Sequence, residues 1–365
     1  MGPLSGYRII ELGGLGPAPM CGLLLADLGA EVILVERPGK AEIGVAPMDS
    51  IERRGKRSIE LDLKAPSSVD IILKLVETAD ALIEGFRPGV TERLGLGPAE
   101  CHSRNLKLVY GRVTGWGQEG PLAHEAGHDI NYISLAGALG AIGSADGPPL
   151  PPLNLVGDYG GGAMYLACGL LAGLLEAHQS GKGQVIDAAM LDGTLFQMSL
   201  FFSLMAGGQW REGRGNNHLN GAAPYYRAYE TKDGKFVAVG ALEQKFYEEF
   251  VKCLGLSISE LPERLDPANW EKLTTRFETI LKSKTQNDWM ECFDGKNACV
   301  TPVLELSEVP DHPHIKARRS VVENHDLLQP SPGPRFSRSV LSSVPRPENK
   351  GKSTTDILRE IGFKS

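Results

Sequence analysis

The 365-residue chain has no paired cysteines: Cys21, Cys101, Cys168, Cys253, Cys292 and Cys299 are scattered, and none forms a C-x-x-C pair. In a chain of this length that excludes a disulfide framework and fits the reduced thiols of an intracellular protein. Basic charge is also in short supply. Thirty-eight Lys and Arg stand against 45 Asp and Glu, a formal net charge of −7, which argues against a nucleic-acid binder. No signal-peptide layout opens the chain, and Arg8 is the only base before Arg37, unlike an Arg-rich presequence. The longest uncharged stretch, Tyr159–Leu175, is short for a bilayer span and broken by glycines, so it reads as a buried helix. The 44 glycines and 24 prolines follow no period, which removes collagen-like and low-complexity readings. The ending Phe363-Lys364-Ser365 is not a peroxisomal signal. A soluble, cytoplasmic protein with no nucleic-acid or membrane partner is expected.

What is present is an alternation of strands and helices. Arg8–Leu12 is strand-like, Gly13-Gly14-Leu15-Gly16 makes a turn, Pro17 suits a first helical turn, and Gly29 stops the helix. Glu31–Val35 is a continuous apolar strand of the kind covered on both faces. Two strands joined by a helix predict a βαβ unit and a parallel sheet. The pattern continues with a helix over 67–78, strands at 81–83 and 106–114, a helix over about 158–179, a strand at 184–187 and a helix over about 189–206. Residues 207–223, rich in Gly, Asn and Arg, read as a linker. Beyond it, two strands flank Thr231-Lys232-Asp233-Gly234, whose Asp-Gly pair signals a hairpin. Charged helices follow over about 243–255 and 269–294. The expected architecture is α/β: a Rossmann-like large domain over 1–206, a smaller α+β domain over 224–310, and a Pro-rich segment over 311–365 that returns to the large domain.

Gly14 and Gly16 after the first strand, with Glu36 closing the second, resemble a dinucleotide fingerprint. Pro19 stands where the third glycine belongs, however, and Pro17 and Pro19 remove amide donors that a pyrophosphate needs. Arg53-Arg54-Gly55-Lys56-Arg57 concentrates positive charge beside a strand, with Arg37 and Arg87 near other strand ends. Either a solvated surface run or a polyphosphate site fits these residues, since Arg grips phosphate with two parallel bonds. His128 sits in Gly127-His128-Asp129-Ile130-Asn131-Tyr132, and Asp158 precedes Gly160-Gly161-Gly162 at an expected helix start. An N-cap role would give Asp158 about 1 kcal/mol. The glycines add room for close approach and amides for a developing oxyanion, with Gly157 and Gly160 as candidates. Glu243 begins another helix.

The segments Gly127–Tyr132, Asn154–Asp158, Val237–Glu243 and Ala298–Leu304 resemble the α-methylacyl-CoA racemases of the family III CoA-transferase superfamily, and the resemblance runs from Leu4 to about Pro347. It implies that His128 and Asp158 are the two acid/base groups and that Glu243 pairs with the histidine across an interlocked homodimer. It implies CoA contacts at Arg37, Leu61, Lys64, Arg87, Arg93 and Tyr132. No metal or cofactor is implied, since CoA is part of the substrate. The implied activity interconverts (2R)- and (2S)-2-methylacyl-CoA by two-base proton transfer through an enolate. The alternative is a CoA-transferase with a covalent Asp158 intermediate. His128 favours the racemase, because transferases need no second base there. Animal relatives are peroxisomal and mitochondrial, compartments that apply if the source is eukaryotic. Met190, Met198 and Met205 fall on one side of the expected helix, where they fit either an adaptable acyl surface or core.

Overall fold

A computed structural model describes residues 1–39, 51–324, 326–341 and 344–363. Six parallel strands make the main sheet: β1 (Arg8–Leu12), β2 (Glu31–Glu36), β3 (Lys56–Glu60), β4 (Ala81–Glu84), β5 (Val109–Thr114) and β6 (Val185–Ala189), in the spatial order β3-β2-β1-β4-β5-β6. The register places Ile10 beside Ile33 and Leu82. This order reverses direction between β1 and β4, and in open α/β sheets ligands bind outside the carboxyl ends of the strands at such a switch point.

Among the described residues, the α-helices of seven residues or more are α1 (Pro17–Asp27), α2 (Pro66–Val76), α3 (Pro98–Arg104), α4 (Asp129–Leu135), α5 (Tyr165–Ser180), α6 (Met190–Gln197), α7 (Ser199–Ala206), α8 (Gln244–Cys253), α9 (Trp270–Leu281), α10 (Gln286–Phe293) and α11 (Thr354–Glu360). The sheet is covered on two sides. One core joins Ile9, Val32, Ile83 and Val113 to Leu25, Leu166 and Leu170. The other joins Ile10, Ile33, Leu82 and Tyr110 to Ile72, Leu75 and Ile357. Near-continuous apolar strands are the sequence signature of such a doubly covered sheet.

The long apolar helix differs from expectation at its start. Leu155–Met164 is π-helical and leads into α5. Together they form a 26-residue helix, Leu155–Ser180, long and apolar enough to cross a membrane, with half of its most apolar window buried. The π-helical start lies close against α6. A Cβ at Gly161 would lie 2.8 Å from the Met190 carbonyl oxygen, and one at Gly193 only 1.9 Å from the Gly161 oxygen. The π-helical segment and α6 therefore touch backbone to backbone. The expected helix over 189–206 is likewise two helices, interrupted at Met198. The three methionines accordingly do not share one helical face: Met190 is core, Met198 caps α6, and Met205 is exposed on α7.

The chain divides into two compact units, residues 1–136, 151–199 and 316–365 in one, and 137–150 and 200–315 in the other. These limits differ from the sequence expectation at several places, and 200–206 and 311–315 both fall in the small unit. Residues 137–150 group with the small unit, and 207–223 belong to it instead of forming a free linker. Arg214 donates to the carbonyls of Ser144 (2.9 Å) and Gly147 (2.5 Å), and the Asn220 amide donates to that of Ala141. The small unit has an antiparallel sheet of β7 (Tyr226–Glu230), β8 (Phe236–Gly240) and β9 (Val300–Val303). Its core gathers Tyr225, Tyr229, Phe250, Phe277 and Trp289 beneath α8, α9 and α10. The expected hairpin joins β7 to β8, with Gly234 at φ 75° in the turn. The expected helix over 269–294 is broken before α10, where Thr285 and Asp288 form a reciprocal capping box.

The basic run has a structural role. Arg53 pairs with Glu36 and donates to the Glu348 carbonyl. Arg54, 2% exposed, forms a two-pronged bond to Asp27 (2.6 and 3.1 Å) and donates to Gln329 (2.9 Å) and the Pro330 carbonyl (2.7 Å). Lys56 is buried against Glu11 at 2.6 Å, and Arg57 bridges Glu31 and Glu360. These cations tie the C-terminal segment to β3 and α1. Their guanidinium and ammonium groups are already taken by carboxylates, and Arg54 and Lys56 are buried, so Arg53–Arg57 is neither the solvated surface run nor the polyphosphate site that the sequence left open.

Candidate active site

The site is built at the carboxyl ends of the strands, where the β5–β6 connection delivers α4 and the π-helical segment. His128 is the residue before α4, in extended conformation and exposed, and its N–H donates to Asn131 Oδ1 at 3.0 Å. Asp158 lies in the first turn of the π-helical segment and is half-buried. It is not an N-cap. Asn154 precedes the segment, and its amide donates to Asp158 Oδ2 at 3.2 Å. The capping acceptor comes from another element: Asp129 Oδ2 accepts the N–H groups of Gly157 (2.7 Å) and Asp158 (2.8 Å).

Burial, before any other cause, pushes the Asp158 carboxyl above its ordinary pKa. The charges of Asp129 and Glu52 act in the same direction, while the Asn154 hydrogen bond and the His128 charge act against it. His128 is thus close enough to Asp158 for the two to interact electrostatically. The β1–α1 turn approaches Asp158. Gly16 has φ 71° and ψ −116°, and a Cβ there would lie 3.0 Å from Asp158 Oδ2. The glycine that mimicked a dinucleotide motif in the sequence leaves room for a carboxylate.

Arg37 follows β2, Arg87 follows β4, and Arg93 ends the one-turn helix Val90–Arg93; all three are exposed. Lys64 follows β3 and is exposed, whereas Leu61 is buried in the core at the end of that strand. Tyr132 on α4 is buried; its hydroxyl donates to the Gly127 carbonyl, and its ring meets Trp116 edge-on at 4.8 Å. The Arg87 charge reaches the Tyr132 phenol, although burial dominates and pushes that group up to about 12. These positions share the carboxyl edge of one sheet with His128 and Asp158. The two oxyanion candidates are both occupied. Gly157 N–H is held by Asp129, and Gly160 lies inside the π-helical segment. The first turn of α4, directly after His128, keeps the amides that a helix start leaves without an intrahelical acceptor. In the small unit, Glu243 is exposed at the residue before α8, and its side chain makes no capping bond.

A CoA-transferase family III pattern matches residues 4–347 of this chain. The chain belongs to that family. It is 42% identical over 362 residues to the alpha-methylacyl-CoA racemase of Mus musculus, a match spanning 99% of this chain and 93% of the mouse protein. With the alpha-methylacyl-CoA racemase of Homo sapiens it shares 41% identity over 99% and 94% of the two chains. The crystal structure of a CAIB/BAIF family protein from Brucella suis superposes with a TM-score of 0.85 at 26% identity, covering 99% of both chains.

Sequence reasoning missed Asp129 in this family III chain. It is 7% exposed and sits one residue after the histidine, yet the contacts that reveal it come from the π-helical segment 28 and 29 residues away. The available signal was Gly157, where a Cβ would lie 2.6 Å from Asp129 Oδ2.

Proposed function

We propose that this protein racemises 2-methylacyl-CoA thioesters, with His128 and Asp158 as the two proton-transfer groups. The observation that carries the reading is their pairing: an exposed imidazole and a half-buried carboxyl, interacting at the carboxyl edge of the sheet. Racemisation requires a base on each face of the thioester α-carbon. Neutral His128 takes the α-proton of one epimer, and the Asp158 carboxylate takes that of the other. The planar enolate between them is reprotonated from the opposite side. Burial helps here, because a carboxyl with raised proton affinity is better matched to an imidazole. Amide donors at the start of α4 are suited to the enolate oxygen, a contribution of about 3 kcal/mol for one good donor. Arg37, Arg87, Arg93 and Lys64 would hold the CoA phosphates, with Leu61 and Tyr132 lining the site. The reaction as proposed uses only these side chains and the CoA that the substrate carries.

The working unit is proposed to be a homodimer in which Glu243 of a second copy fixes the His128 tautomer. Apolar exposure supports it. In the large unit Leu175 is 66% and Phe196 69% exposed; in the small unit Leu200, Phe202 and Met205 are exposed. Such surface is what a second subunit buries.

Incubating an enantiopure 2-methylacyl-CoA in D₂O is expected to place deuterium at Cα and yield both epimers. His128→Ala and Asp158→Ala should each lower racemisation roughly 10²- to 10⁴-fold while CoA binding persists. Rapid CoA exchange with free carboxylic acids, together with a hydroxylamine-trapped Asp158 adduct and no Cα deuteration, would establish a transferase instead.

A further inference from the structure

We propose that Asp129 is a positioning residue for proton transfer: its backbone continues from His128 while its carboxylate clamps the amides of Gly157 and Asp158, so one side chain fixes the two proton-transfer groups relative to each other. The proposal rests on the two-base reading above and deepens it. Asp129 Oδ2 accepts N–H bonds at 2.7 and 2.8 Å from consecutive residues of the π-helical segment, the second being Asp158 itself. Asp129 is 7% exposed, and its Oδ1 has no partner among the described residues. Among the described residues its side chain is met by these two amides and makes no ion pair. Gly157 completes the clamp, because a Cβ there would lie 2.6 Å from Oδ2 and 3.1 Å from Ile133 Cγ2.

The clamp also has an electrostatic consequence. A carboxylate bonded to the Asp158 amide disfavours the ionised form of the Asp158 side chain, making it a stronger base. Among the described residues, the titratable groups that face Asp158 are His128 just before α4, Asp129 and Tyr132 from α4, Glu52 from the turn at Ile51–Arg53, and Tyr159 from its own segment. Tyr159 and Glu52 are themselves joined, the phenol donating to Glu52 Oε1 at 2.8 Å.

The test compares wild type with Asp129→Asn, which removes the charge and keeps an acceptor, and Gly157→Ala, which keeps the charge and pries the clamp. Two quantities are read. One is kcat and KM for deuterium incorporation into a 2-methylacyl-CoA. The other is the pH midpoint at which a carbodiimide with an amine labels Asp158, followed by mass spectrometry without substrate. Gly157→Ala is expected to lower kcat by about 10²-fold, the scale of a misplaced catalytic group, with KM little changed. Asp129→Asn is expected to move the Asp158 labelling midpoint, and the acid limb of exchange with Asp158 as base, to lower pH. An unshifted midpoint in Asp129→Asn, or wild-type kcat in Gly157→Ala, would overturn the proposal. A fall in melting temperature with both readouts unchanged would reduce Asp129 to a purely structural part, and would also overturn it. If Asp129→Asn fails to fold, the Gly157→Ala kcat decides. If the wild type neither exchanges nor racemises, the two-base reading fails, while the labelling midpoint still judges Asp129.

Discussion

Replacing Gly16 by alanine perturbs the candidate site at Asp158. At φ 71° and ψ −116° the backbone is in a region that L side chains rarely adopt, and the new methyl would stand 3.0 Å from Asp158 Oδ2 and 3.5 Å from Cγ. The backbone strain costs about 1–3 kcal/mol. For a unit of this size, that lowers the melting temperature by roughly 2–4 °C per kcal/mol. The 3.0 Å contact is a few tenths of an ångström too close, so the carboxylate must give way. A full 1 Å misplacement costs about 10²-fold in rate, so a loss of about tenfold in kcat for α-proton exchange is expected. Gly14→Ala is the internal control. Gly14 is exposed, has no positive φ, and has no atom within 4 Å of an added Cβ. It should stay within about 0.5 kcal/mol of wild type. Differential scanning fluorimetry and deuterium incorporation measure the two effects on the same samples. Equal melting temperatures and equal exchange rates for the two variants would refute the assignment of Gly16 as the wall behind Asp158.

Two further outcomes concern stability. Arg54→Ala leaves Asp27 buried without its partner and removes the bonds to Gln329 and the Pro330 carbonyl; a loss of about 3–5 kcal/mol is expected in urea unfolding, and a loss below about 1 kcal/mol would contradict the burial described. Burial above all raises the Glu11 carboxyl to about 7, against the pull of Lys56. A folded-state pKa above the unfolded value gives stability that is complete below about 4.5 and lost as pH rises toward 7. The melting temperature of Glu11→Gln relative to wild type should therefore climb from pH 4.5 to 7.5, and parallel profiles would sink the assignment.

The parallel sheet was legible because its strands, buried on both faces, are short apolar runs bounded by turn residues, as in Glu31–Val35 and Ala81–Ile83. The Asp-Gly hairpin was legible from local turn chemistry alone. The π-helical segment was not. Gly157, Gly160, Gly161 and Gly162 carry no mark of π geometry, and the close approaches to α6 and α4 that Gly161 and Gly157 permit join segments distant in sequence. Asp158 looked like a cap because the group that does the capping, Asp129, lies in another helix. The basic run deceived for a related reason: its carboxylate partners range from Glu36, 17 residues away, to Glu360, 303 residues away. By contrast, the break before α10 could have been read, since Thr285 and Asp288 have capping-box spacing. His128 and Asp158 were accessible through motif resemblance, whereas the geometry that relates them resides in contacts between segments.

The Arg54 cluster bears on how the chain is made. A nascent chain that has emerged as far as residue 315 contains every strand of the main sheet and the whole small unit, yet Arg54 then lacks Gln329 and Pro330, and the core around Ile72 and Leu75 lacks Ile357. The first unit to be started is thus the last to be finished. Until residues 329–357 have left the ribosome, its edge strand β3 lacks the contacts they make and a buried guanidinium has only half its partners. A chain cut at residue 315 should be lost to proteolysis, even though the main sheet and the three-stranded sheet of the small unit are fully encoded.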